Sequence, residues 1–255
     1  MISDHAGVVL GVLGFAIFPA IAVVAGGLVA FVYLPRKAVR SGIQHFAAGL
    51  IFCVLATELL PDLAHRRMPL WTIVGFSLGF ITMVAIKFFS ENAKMEGKSS
   101  PKLSMGLLAA MGIDIALDGL LIGLGFAAGK KQGLLLTIAM TLEVFFLGLA
   151  CATSLSANSE PRGRMIWIPV LLGALLLAGA AEGAIALTVL PSAALDALLA
   201  FGVAALLYLV TEELLVEAHE APGAGEQPPV MLIGFMQTGM FFIGFIVLLI
   251  VGMIL

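Results

Sequence analysis

The chain has 255 residues, 61% of them hydrophobic and 11% charged, with a formal net charge of −3. Apolar runs of about 18 or more residues recur along it, and a bilayer core of about 30 Å takes roughly 20 helical residues to cross; a soluble globular domain is excluded. The runs do not alternate as barrel strands do, and no basic stripe supports a nucleic-acid partner, so the expected class is all-α: a polytopic membrane protein with one transmembrane domain spanning 1–255.

Taken in order, loops and prolines delimit eight spans, at about 6–34, 39–63, 69–90, 103–128, 132–155, 164–190, 194–218 and 229–254. The first is span-length and has no basic segment before it, so it is expected to remain as a helix rather than be cleaved as a leader. Short connections predict antiparallel packing of sequential helices. Nine basic residues fall on one side (Arg36, Lys37, Arg40, Lys87, Lys94, Lys98, Lys102, Arg162, Arg164) against four on the other (Arg66, Arg67, Lys130, Lys131). By the positive-inside rule both termini are expected outside, in a multi-pass protein of the plasma (inner) membrane.

Small residues predict where helices cross closely. Gly119/Gly123 and Gly125/Gly129 in span four have GxxxG spacing, and span six carries Gly173, Gly179 and Gly183. Spans four and six are therefore expected to be inner helices. Cys53 and Cys151 belong to no CxxC or Cys/His cluster and read as small core residues.

Carboxylates at membrane depth are the features that packing alone does not explain, because each costs roughly 2.5–3.5 kcal/mol on insertion scales. Asp114 and Asp118 lie one helical turn apart in span four, on one face. Counted at about 1.5 Å per residue from the membrane faces, Glu143 of span five reaches the same central level, with Glu182 of span six somewhat outward. Glu58 and Asp62 belong near the outer mouth, and Glu213, Glu217 and His219 near the inner one. Such a ladder of acids across a membrane describes a cation pathway. Central carboxylates crowded together must share protons or face a cation, and an oxygen-only donor set suits a hard or borderline divalent metal. His5, His45 and His65 read as interfacial.

Four segments carry a resemblance to a known family. His45-Phe-Ala-Ala-Gly-Leu with Glu58-Leu-Leu-Pro61-Asp62 in span two resembles the FAAG…LLPE stretch of the ZIP (Zrt-, Irt-like) metal transporters. Asp118-Gly119-Leu-Leu-Ile-Gly123-Leu-Gly125-Phe126 is similar to that family's helix-four motif, and Ala181-Glu182-Gly183-Ala184 to its helix-six AEPxGA. Tyr208 to His219, with Glu212, Glu213 and Glu217, resembles its YxxxxELxPEAH ending. The resemblance covers nearly the whole chain. It implies a membrane transporter, not an enzyme, that moves a divalent metal inward by an alternating-access, elevator-like movement and is often a homodimer. It further implies a site on the helix-four and helix-five acids, here Asp118 and Glu143, with Glu182 at a neighbouring position. No prosthetic group is expected, the metal ion being substrate.

The departures bear on the chemistry. Asp114 and Ile115 stand where the family has His-Asn, Ala139 and Met140 stand at the polar ligand positions before the helix-five acid, and Leu142 replaces its proline. What remains is one mononuclear site of Asp114, Asp118 and Glu143, with Glu182 in reach. Loss of imidazole favours iron, manganese or another oxygen-preferring ion over zinc (Zn). The competing expectation is a ZIP-like scaffold that has lost metal transport and carries another cation or regulates a partner. An intramembrane aspartyl hydrolase is disfavoured, since Asp114 and Asp118 share one helix and no second helix presents an opposing aspartate in a GxGD-like motif.

Overall fold

The computed structural model describes residues 2–32, 37–97, 105–157, 161–215 and 230–255, and among these there is no strand. The helices are α1 (Ile2–Val32), α2 (Lys37–Val54), α3 (Leu60–Arg66), α4 (Pro69–Gly97), α5 (Met105–Ala128), α6 (Lys130–Ala157), α7 (Arg162–Val189), α8 (Ser192–Tyr208) and α9 (Val230–Ile254). A π-helical turn, Leu55–Leu59, joins α2 to α3, and a second, Leu209–Leu214, extends α8. Among the described residues seven helical stretches are long and apolar enough to cross a membrane, the α2–α3 run counting as one. The described side chains of α9 begin at Thr238 and form an apolar stretch short of a full span. The chain is a multi-pass helical membrane protein.

Packing departs from the sequential order expected above. The most extensive contacts join α1 to α6, α5 to α7, α2 to α9 and α4 to α8. A four-helix bundle of α1, α5, α6 and α7 results, flanked by the pairs α2/α9 and α4/α8. A short loop constrains only the ends of two helices; glycine decides where backbones can meet along their length. Gly119 abuts the Leu176 carbonyl while Gly179 abuts that of Ala116; Gly26 and Gly148 form the same reciprocal pair with Phe145 and Val23, and Gly49 and Gly244 with Phe241 and Phe46. Backbone approach of this kind permits Cα–H···O contacts and dense packing where the lipid offers no hydrophobic driving force. In α5 and α7, positions 112, 116 and 120 meet 175, 179 and 183, so the two helices run parallel.

The expected Gly119/Gly123 crossing is thus present, against α7, but Gly125 and Gly129 do something else. Gly125 packs on Gly133 and Leu136 across the α5–α6 hairpin, and Gly129 makes the hairpin's turn at φ +143°, a conformation open to glycine and strained for other residues. Nor are α5 and α7 the most enclosed helices: the α8, α6 and α2 stretches bury more of their residues. A glycine seam buries one line along a helix and leaves the rest free.

The turns α3–α4 (Arg67, Met68), α5–α6 (Gly129) and α7–α8 (Leu190, Pro191) lie at one end of the bundle, here called the short-turn face.

Candidate functional site

The two π turns carry the same dipeptide. Thr57–Glu58 and Thr211–Glu212 each place a threonine hydroxyl that donates to the carbonyl four residues back, Cys53 and Leu207, both at 2.8 Å. Each glutamate then meets a lysine from another helix. At the short-turn face Glu58 Oε1 lies 3.3 Å from Lys131 Nζ, and its Oε2 accepts from Gln132 Nε2 at 2.9 Å. Toward the opposite face Glu212 Oε2 is 3.2 Å from Lys87 Nζ, which also lies over the Tyr208 ring. Single π turns inside α-helices recur at functional positions because they swing side chains out of the regular register.

Asp62, the other acid expected at the outer mouth, binds Arg66 Nε at 2.8 Å, and Arg66 Nη2 donates to the Ala127 carbonyl at 3.0 Å. The short-turn face is therefore not an open funnel of acids. Its carboxylates are held by Lys131 and Arg66, and these contacts fasten the α2–α3 segment onto the α5–α6 hairpin.

Below that fastening the packing is dry. Leu59, Leu121, Leu124, Leu136, Leu199, Val203 and Leu206 enclose a void of about 10 Å³, at the lower limit for one water and without the polar partners a water needs. On α5 and α6 this apolar plug lies between the hairpin turn and the acids.

Past the plug the character changes. A cavity of about 60 Å³ is lined by Asp114 of α5, Glu143 of α6 and Gln44 of α2, with Ala47, Phe146, Leu147 and Ala150 and the π-turn leucines Leu209 and Leu214. Two acids expected from the sequence to meet, Asp114 and Glu143, do share a space. Asp118 stays on the same helix one turn nearer the plug, buried at 3% exposure, and does not line the cavity. Glu182 is not brought there: it is exposed on α7. Its neighbour Gly183 and Gly179 face α5, and one residue's rotation, about 100°, turns the carboxylate off that contact. Among the described residues no three His, Cys, Asp or Glu side chains converge closely enough to hold a metal ion. The side chain of Glu213, and all of Glu217 and His219, lie outside the described residues.

Sequence reasoning missed the roles of four polar residues. Gln44 is a cavity wall that no motif marked. Lys131 and Gln132 hold Glu58 from 73 and 74 residues away, visible only once α6 docks on the π turn. Asp196 near the start of α8 is fully buried, accepting at 3.1 Å from Thr72 Oγ1 of α4, while its Oδ1 has no hydrogen-bond partner among the described residues; a lone aspartate inside the apolar run after Ser192 was the available signal. Because Thr72 supplies the only side-chain hydrogen bond to Asp196 among the described residues, Thr72→Val is expected to destabilise the protein by about 1–3 kcal/mol. A drop in the thermal midpoint of the detergent-solubilised variant, absent in Thr72→Ser, checks this.

No protein-family model matches the chain, and no curated protein is similar to it.

Proposed function

We propose that this chain is a ZIP-like transporter moving a divalent metal cation (iron, manganese, zinc or similar) inward across the membrane, its eight spans leaving both termini outside. The reading rests on one observation: Asp114 and Glu143, on adjoining helices, line one small cavity midway along the bundle. A dication entering such a space is drawn by two carboxylates whose mutual repulsion it relieves, and it displaces any proton they share. Transport then exchanges protons for metal. With the short-turn face outside, the plug and the Glu58–Lys131 and Arg66–Ala127 contacts close the outer path, and the cavity belongs to the inner half. The four-helix bundle carrying both acids moves against the flanking pairs, and a homodimer is the expected assembly.

Uptake of Mn²⁺, Fe²⁺ or Zn²⁺ into proteoliposomes holding the purified protein tests the proposal. Saturable uptake above empty vesicles is the expected result, and none for all three ions overturns it. A second reading, a ZIP-like scaffold without metal transport, draws on the lack of any converging three-residue acid, His or Cys group among the described residues. It is favoured if anomalous scattering from metal-soaked crystals finds no ion beside Asp114 and Glu143.

A further inference from the structure

The cavity has a third polar wall, and it comes from outside the bundle that holds the acids. Gln44 belongs to α2, one of the flanking helices, yet its side chain lines the same space as Asp114 and Glu143. It is only 5% exposed, and among the described residues it has no hydrogen-bond partner. A carboxamide offers two donors and an acceptor oxygen, and no Gln44 atom is among the sealed-off polar atoms that lack a partner, so its amide is open to whatever occupies the cavity. The rest of the lining nearby, Ala47, Phe146 and Leu147, offers no polar side chain.

We infer that Gln44 is the neutral oxygen ligand of a divalent-cation site whose charged ligands are Asp114 and Glu143. The inference rests on the transporter reading and gives its site a third donor. Amide oxygens are ordinary ligands of hard cations beside carboxylates. Two carboxylates and one uncharged amide carry a formal charge of −2, which a dication neutralises; a third carboxylate would leave the loaded site negative within the membrane. It also accounts for an ion site without three converging acids, histidines or cysteines among the described residues: the third donor is an amide. Because the acids and the amide stand on different packing units, the full donor set exists only while α2 lies against α6 as it does here. Displacement of the bundle along α2 strips one ligand from the ion, which lowers its affinity and favours release.

The test is Mn²⁺ binding to the purified full-length protein in detergent, followed by calorimetry, for wild type, Gln44→Ala, Gln44→Glu and Asp114→Asn. Gln44→Ala is expected to weaken Mn²⁺ binding by about tenfold, and Gln44→Glu to bind more tightly than Gln44→Ala. Thermal unfolding without metal separates a lost ligand from a lost fold: Gln44→Ala should melt within a few degrees of wild type, because among the described residues its amide makes no hydrogen bond that the substitution would break. If wild type and Gln44→Ala bind Mn²⁺ equally while Asp114→Asn does not, the role of Gln44 is wrong and the acid site stands. If wild type binds no divalent ion, the transporter reading fails, and this inference with it.

Discussion

Glu143→Gln should lower metal uptake by about 100-fold while leaving the protein folded and inserted. The substitution keeps the shape of a side chain that is 4% exposed and exchanges a carboxylate for a neutral amide, so it creates no cavity and forces no repacking. Asp114→Asn should do the same from the other wall. The two losses are not expected to add, since on the proposed reading one dication is held by both acids and is already lost when either goes. Glu182→Gln is the informative contrast. Its carboxylate is exposed on α7 and does not line the cavity, so its uptake should stay within about twofold of wild type, inside the range of surface substitutions. Vesicle uptake with matched amounts of each variant decides the matter. A Glu182→Gln loss as deep as that of Glu143→Gln would make Glu182 part of the site, at the neighbouring position the resemblance implied, and the cavity lined by Asp114 and Glu143 would not be the whole of it.

The class of fold was legible because bilayer thickness leaves few solutions: runs this long and apolar can only be spanning helices, and their ends fall at prolines, glycines and charged turns. Mid-span acids were legible for the same reason, since each is too costly at that depth to ignore. What one-dimensional reading misses is rotation and partnership. The levels of Asp114, Glu143 and Glu182 could be counted along their helices, but a count gives height and not the direction a side chain points. A signal for direction did exist in span six, where Gly179 and Gly183 mark the contacting face and place Glu182 off it. No such signal identified Gln44: at the start of span two, between Ser41 and His45, it looks like any polar residue at a membrane edge. The pairing of Glu58 with Lys131 needed the docked helices, as did the parallel pairing of α5 with α7, which short loops alone do not suggest. The two Thr-Glu dipeptides were visible in the sequence; that both sit on π turns was not, because a π turn leaves no mark on composition.

The second large effect concerns the seam that sets where the acids stand. Gly119→Ala and Gly14→Ala are the same chemical change in two apolar helices, and each relieves the same backbone freedom, a gain of roughly 0.8–1 kcal/mol in helix propensity. Their outcomes should differ in sign. A methyl group on Gly14 meets nothing within 4 Å, so that variant is expected to be neutral or slightly stabilised. On Gly119 it would overlap the Leu176 carbonyl oxygen and crowd the Ala180 nitrogen. These are backbone atoms of α7 and cannot swing aside like the end of a flexible side chain. The helices must separate, and the reciprocal contact of Gly179 with the Ala116 carbonyl opens along with them. Overpacking of this kind costs about 1–3 kcal/mol, and loss of the reciprocal contact adds to it. The thermal midpoint of Gly119→Ala in detergent should therefore fall below wild type while that of Gly14→Ala does not. Since Asp118 precedes Gly119 and Asp114 lies a turn before that, separation of α5 from α7 also moves both acids relative to Glu143, and metal binding should weaken beyond what lower stability explains. A Gly119→Ala protein as stable as wild type would mean that α5 and α7 do not meet backbone to backbone, and the placement of Asp114 opposite Glu143 would lose its support.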